Sequence, residues 1–337
     1  MVVCGAILGV AGFAVEQAHA NWRPHVTRTA LGWQASQPHV GIDFEPALAG
    51  DHLAWQAGPY TLVMDLSSGK VRLVGAGGSA QSVWPVAATG GDTVWAETSG
   101  GAGRDTTIYA YDFATRRRQV LLKTAADLEA PPVAAGSTAY WLSGTSSTAA
   151  VTACDISGGR RRVLAVGSDL GPFLLADDSF VVWSRQPRPS APFAMTVLDT
   201  ASGATSDLTL PDQSSGAVFD TPILANGTLA WLRIDKQSAA AAITTYDLRT
   251  LAAREIVGGP AGKLVGPGFD GATVVWAQPA DGGSGDVVMG LRLSGGPAFR
   301  IAAAPGDISS VMVSGSRVAW WVGTGPRSWI ETARLPR

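Results

Sequence analysis

The chain has 337 residues, 46% of them apolar, with 41 glycines, 20 prolines and only 15% charged residues, a make-up that excludes long amphipathic helices and suits short buried strands joined by tight turns. The formal net charge of −2 provides no global field to draw in nucleic acid or an anionic membrane surface, so electrostatic recognition must be local. Two cysteines, Cys4 and Cys154, and four histidines, His19, His25, His39 and His52, exclude a disulfide framework and a thiolate metal cluster, and a Ser-His-Asp centre or multi-histidine zinc site would have to be built from the first 52 residues alone.

In chain order, residues Val2 to Val15 form a short apolar run followed by Ala18-His19-Ala20, whose small-x-small pattern predicts a secretory signal peptide over 1–20 with cleavage before Asn21. The run is shorter than the ~20 residues a membrane-spanning helix needs. The expectation is an extracytoplasmic protein, secreted, periplasmic or at the cell surface, with no transmembrane span. Residues 21–43 follow as an N-terminal arm, in which Val26 to Trp33 has strand-like composition.

From Phe44 onward a tryptophan returns at Trp55, Trp95, Trp141, Trp183, Trp231, Trp276 and Trp320, with steps of 40, 46, 42, 48, 45 and 44 residues. A period in the low forties filled with strand-like sequence is that of a β-propeller blade. The expected fold is all-β: a seven-bladed β-propeller of four-stranded antiparallel blades over 44–337, with strands a to d running outward from the central channel. Each repeated tryptophan falls on strand b and is expected to pack between neighbouring sheets. Trp22, Trp33, Trp84, Trp321 and Trp329 lie outside this alignment and are expected at surface contacts.

Five and four residues before each tryptophan sits a pair of turn formers: Gly50-Asp51, Gly90-Gly91, Gly136-Ser137, Asp178-Ser179, Asn226-Gly227, Gly271-Ala272 and Gly315-Ser316. These read as two-residue a–b hairpins, because Gly, Asn and Asp supply the positive φ of types I′ and II′. Six repeats carry a proline further upstream, Pro46, Pro85, Pro132, Pro172, Pro222 and Pro267, tolerated where strand a begins or shows a free edge. Asp65, Asp112, Asp155, Asp199 and Asp247 end strand c in five repeats, where a carboxylate accepts backbone N–H groups two residues on and fixes the c–d turn. The seventh repeat runs through strand c, at about Trp329 to Ala333, and stops. Val26 to Trp33 is therefore expected to supply the missing outer strand and close the ring.

Pro222-Ile223-Leu224-Ala225-Asn226-Gly227-Thr228-Leu229-Ala230-Trp231 and Asp65-Leu66-Ser67-Ser68-Gly69 resemble the repeats of the TolB-like group of bacterial propellers, which follow a pattern of proline, Gly-centred turn, apolar strand ending in an aromatic, and Asp-x-x-x-Gly hairpin. The resemblance covers nearly the whole mature chain and implies an extracytoplasmic propeller of unspecified partner. Two departures limit what it carries over. The family's Ser-Pro-Asp-Gly turn is replaced throughout, and no separate N-terminal α/β domain precedes the propeller as in TolB itself, so a role in the Tol envelope machinery is not implied.

Other motifs resolve into turn chemistry. Gly266-Pro267-Gly268-Phe269-Asp270-Gly271 matches the dinucleotide fingerprint, but Thr273-Val274-Val275-Trp276 is a strand where the fingerprint needs a helix. Asn226-Gly227-Thr228 is a glycosylation sequon that the hairpin already explains. No Gly-x-Ser-x-Gly elbow occurs, which argues against a prolyl oligopeptidase-like catalytic centre. Asp281-Gly282-Gly283-Ser284-Gly285-Asp286 offers too few oxygen ligands at fixed spacing for calcium. No metal and no cofactor is expected.

Two constellations are candidate binding sites. Arg116-Arg117-Arg118 and Arg160-Arg161-Arg162 occupy the same c–d turn in adjacent blades 2 and 3 and should form a basic patch on one rim, suited to an anionic partner; solvated turn residues that guard an outer strand are the plain alternative. On the opposite rim Glu97, Arg185, Arg233 and Gln278 stand two residues past their tryptophans, with Asp235 close by, and are expected to converge on the channel mouth, walled by loops Thr98–Thr106 and Arg185–Phe193. The leading expectation is a monomeric, non-catalytic binding or scaffold module that recognises a protein or glycan. The alternative is a propeller-type polysaccharide hydrolase or lyase using Glu97 and a nearby aspartate as acid and base.

Overall fold

The computed structural model describes Thr27–Ala30 and residues 46–336, apart from 58–59, 77–79, 84–85, 100–104, 146–147, 186–193, 209, 211–217, 236, 282–284 and 324–328. The expected signal peptide, Trp22, Trp33, Trp84, Pro85 and the central parts of the two long loops lie outside the described residues. Every regular element among the described residues is a β-strand, and the strands form seven antiparallel sheets arranged as a seven-bladed propeller.

Blade 1 comprises Ala47–Ala49, His52–Ala57, Tyr60–Asp65 and Lys70–Ala76 as strands a to d. In blade 2 the inner strand is split into Ala80–Val83 and Ala87–Ala88, followed by Asp92–Ser99, Thr106–Asp112 and Arg117–Thr124. Blade 3 is Asp127–Ala135, Thr138–Thr145, Thr148–Asp155 and Arg161–Gly167. Blades 4, 5 and 6 span 170–208, 218–260 and 265–304. Blade 7 takes three strands from the C-terminus, Ile308–Ser314, Arg317–Val322 and Trp329–Arg334. Its fourth is Thr27–Ala30, which pairs antiparallel with Trp329–Arg334 from Thr27 opposite Thr332 to Ala30 opposite Trp329. The first strand closes the ring, as the incomplete seventh repeat predicts.

The repeated tryptophans build the interfaces. All seven indoles are 0–3% exposed, and each packs against the blade that precedes it: Trp95 with Ala54, Val63 and Val74 of blade 1, Trp141 with Val94 and Ile108 of blade 2, Trp320 with Val275 and Val288 of blade 6. The same holds for Trp183, Trp231 and Trp276, and Trp55 completes the circle against Ala319 and Ile330 of blade 7. An indole hides ~150–250 Å² in such a slot, so the seven apolar clusters are the seven blade boundaries. Trp321 and Trp329, expected at the surface, are buried and half-buried instead, because strands b and c of blade 7 also carry apolar residues into their faces.

The turns follow the expected chemistry in most blades. Positive φ at Gly50, Gly136, Asn226, Gly227, Gly271 and Gly315 suits tight a–b hairpins in blades 1, 3, 5, 6 and 7. Blades 2 and 4 differ: Gly90-Gly91 and Asp178-Ser179 have no left-handed residue. There the Thr89 hydroxyl accepts from the amides of Gly91 and Asp92, and the Asp177 carboxylate from those of Ser179 and Phe180. A side-chain acceptor does what backbone curvature does elsewhere.

On strand c, Asp65, Asp112, Asp155, Asp199 and Asp247 each accept amides two or three residues on. The Ser67 hydroxyl, with the Ser67 and Ser68 amides, holds the Asp65 carboxyl at about 2. Asp155, Asp199 and Asp247 are lowered in the same way, chiefly by the Ser157 hydroxyl, the Ser202 amide and the Thr250 amide respectively. The residue four past each of the five aspartates is left-handed: Gly69, Gly159 and Gly203 in three blades, but Arg116 at φ 61° and Leu251 at φ 58° in the other two. The two kinds of turn lie on one rim. In all seven blades the residue after the end of strand c donates its amide to the second a–b turn residue at 2.8–3.0 Å, from Leu66 to Asp51 round to Leu335 to Ser316.

Candidate functional site

The inner strands surround a channel. Near the a–b turns it holds a cavity of about 320 Å³ lined by all seven blades, among them Pro46, Val133, Leu175, Pro222, Phe269 and Val311. Ser310 supplies the one polar side chain among its lining residues. The prolines sit here for a reason beyond the free edge: Pro132, Pro172, Pro222 and Pro267 fall inside register shifts of the a–b ladder, where a missing amide breaks no bond.

None of Glu97, Arg185, Arg233, Asp235 and Gln278 lines this cavity, which lies toward the a–b turns rather than the b–c loops. Side chains two apart on a strand share a face, so the position two past each indole follows it into the boundary between blades. Glu97, 9% exposed, accepts the Trp95 indole N–H at 2.9 Å, and Gln278 accepts that of Trp276 at 2.8 Å. Trp320 finds its acceptor in Glu331 of the adjacent strand, which also accepts from Trp329. Arg185 is held by Asp169 at 2.7 Å, with Asp207 at 3.8 Å. Arg233 lies 3.8 Å from Glu255. Asp235 shapes the b–c turn of blade 5, accepting from the Gln237 amide and the Ser238 hydroxyl, which lower its pKa, Ser238 foremost. These groups anchor indoles, strands and turns.

The two arginine clusters are different. All six side chains are exposed, and both clusters emerge from c–d turns on the same rim. The Gln119 side chain, next to Arg118, donates to the carbonyl of Ile156 at the start of the turn that carries Arg160, so the outer strand of blade 2 is tied to blade 3 beside the second cluster. Arg118 reaches the other way, its guanidinium 5.0 Å over the Tyr109 ring and donating to the Val74 carbonyl of blade 1. Sequence reasoning missed the apolar component of this surface. Val71, Leu73, Val120, Val163 and Val166 are exposed on the outer strands of blades 1, 2 and 3. Their signal was a valine or leucine beside a run of cations in the last strand of a repeat.

Among the described residues no group of three His, Cys, Asp or Glu side chains is placed to hold a metal ion. Asp286, at the end of the glycine loop, accepts the Ile308 amide of blade 7 at 2.7 Å. Among the described residues no helix is long and apolar enough to cross a membrane.

No protein-family model matches the sequence, and no curated protein matches it. Solved structures do. An oligogalacturonate lyase in complex with manganese has 13% identity and a TM-score of 0.55, with 89% of this chain and 90% of that one covered. An oligogalacturonate lyase from Vibrio parahaemolyticus has 12% identity and a TM-score of 0.58 over 93% and 97%. The β-propeller domain of the Trilobed protease from Pyrococcus furiosus, described as having an open velcro topology, has 10% identity and a TM-score of 0.58 over 86% and 93%. At these identities the likeness is one of fold: all three are β-propellers.

Proposed function

We propose that the chain is an extracytoplasmic binding module that recognises a protein or glycan partner through its basic rim and carries out no chemistry of its own. The observation that carries this reading is the pair of exposed arginine clusters at equivalent turns of adjacent blades, tied together by Gln119 and Ile156. Arg116 adds weight. It takes a left-handed backbone at φ 61° where blades 1, 3 and 4 place glycine, a conformation costing a side-chain-bearing residue about 1–2 kcal/mol. Strain of that size is tolerated where the side chain is used. The extracytoplasmic location rests on the N-terminal apolar run and its Ala18-His19-Ala20 ending.

The polysaccharide hydrolase or lyase reading starts from Glu97, whose carboxylate is engaged by the Trp95 indole at a blade boundary, a structural use that favours binding over turnover. The test is retention of acidic proteins and glycans by wild type and by a variant with all six rim arginines changed to alanine. Salt-sensitive retention lost in the variant, at unchanged melting temperature, is expected. Absence of any such retention by wild type sinks the proposal. Release of sugar fragments by wild type that vanishes in Glu97→Gln replaces it with the enzymatic reading.

A further inference from the structure

Outer strands normally carry charge to prevent pairing with other chains. Blades 1, 2 and 3 carry more than that. Their outer strands Lys70–Ala76, Arg117–Thr124 and Arg161–Gly167 hold seven Lys and Arg and no Asp or Glu. They also hold Val71, Leu73, Val120, Val163 and Val166, five of the six exposed large hydrophobics among the described residues; the sixth, Leu251, is in the c–d turn of blade 5. Edge protection accounts for the cations and leaves the valines unexplained. Val120, Val163 and Val166 are 58–64% exposed, and burying one fully is worth about 1.5–3 kcal/mol.

The register shows where these side chains point. On blade 3, Arg161 is opposite Cys154, Val163 opposite Thr152 and Val166 opposite Ala150, alternate residues of strand c and so one face. Cys154 packs with Ile108 and Trp141, which makes that face the one turned to blade 2. From the other side Gln119 of blade 2 already meets blade 3. Among the described residues Arg161–Gly167 is the last strand of its sheet, with about 23 Å of edge and a side wall that is cationic at its turn end and apolar beyond.

We propose that the outer edge of blade 3 receives an extended acidic segment of a partner protein as an added strand, its carboxylates beside Arg161 and Arg162 and its apolar residues beside Val163 and Val166. The proposal rests on the binding reading above and names the partner's class. Main-chain bonds along a free edge give affinity and alternate side chains give specificity. The charge of the surface selects an acidic segment, and its valines select a polypeptide over a glycan, whose hydroxyls gain nothing from them. A flat bilayer fits poorly, because successive outer strands of a seven-bladed ring are turned from one another by about 50°.

The test is fluorescence anisotropy with a synthetic peptide of two glutamates followed by valine alternating with serine, the glutamates for Arg161 and Arg162 on the two faces and the valines for the one face of Val163 and Val166, with polyglutamate, sulfated dextran and pure phosphatidylserine vesicles as the other probes. The valine–glutamate peptide is expected to bind at least about tenfold more tightly than polyglutamate, to slow amide exchange along Arg161–Gly167, and to weaken about tenfold in Val163→Ser/Val166→Ser and in Arg161→Glu/Arg162→Glu. Both double variants change exposed residues, and their melting temperatures verify folding. Equal peptide binding by wild type and the serine variant, or binding without slowed exchange at this strand, overturns the proposal. Binding of sulfated dextran or vesicles through the arginines, with no peptide binding, overturns it too and leaves an anionic-partner rim standing. Failure of every probe overturns both.

Discussion

Asp92 begins strand b of blade 2 opposite Asp112 of strand c. Burial, and then the Asp112 charge, raise the Asp92 pKa above 3.8. A carboxyl whose folded pKa is raised stabilises the fold below its unfolded value and loses that contribution as pH rises through the folded value. Asp92→Asn is therefore expected to raise the melting temperature at pH ~7 and to leave it unchanged at pH ~3, where wild type is also neutral there; a thermal scan at both pH values decides it. The indoles set the other extreme of single-residue importance. Trp231→Ala empties a slot between blades 4 and 5 lined by Val182, Val197 and Leu224 and should cost about 3–5 kcal/mol by denaturant titration. At this scale the repeats made the tryptophans and turn aspartates legible. The polarity of Glu97 and Gln278 suggested a mouth and hid the partner that strand parity gives each, the indole two residues back.

The c–d hairpin is a device used five times with one weakness repeated twice. Leu251 is left-handed and exposed at the position where blades 1, 3 and 4 have glycine. Leu251→Gly removes a steric cost of about 1–2 kcal/mol and adds back about 0.5–1 kcal/mol of unfolded-chain entropy. A gain of up to about 1.5 kcal/mol is the expected net, read as a rise of a few degrees at most in melting temperature. Arg116→Gly should gain similarly while weakening the basic rim, which separates the strain from the use made of it. The aspartate pattern was legible because the same carboxylate recurs at one place in the repeat. The a–b turns of blades 2 and 4 were read too uniformly: Thr89 and Asp177 replace backbone curvature by side-chain acceptors, and a pair such as Asp178-Ser179 looks the same in either role. The exposed valines escaped notice because an apolar residue on a strand reads as core until its strand is known to be outermost.

For the whole molecule, period, blade number and the borrowed outer strand were all in the sequence, since each follows from counting repeats and finding one short. The proposed binding surface was legible in half: the arginines were found, the apolar companions were not. The closing strand Thr27–Ala30 satisfies the edge of Trp329–Arg334. Removing residues 21–35 should lower the melting temperature steeply and promote association through the opened edge; scanning calorimetry with light scattering reads both, and an unchanged midpoint would count against the closure as a source of stability.

All seven indoles lean the same way, each onto the blade before it. During synthesis six of them emerge with a finished wall already waiting. Trp55 alone has none, because its wall is Ala319 and Ile330 of blade 7, which emerge after the other six blades. The first of the seven repeated indoles to be made is thus the last to be covered, and until that moment the nascent chain is an open arc with an oily leading face that needs shelter from its neighbours.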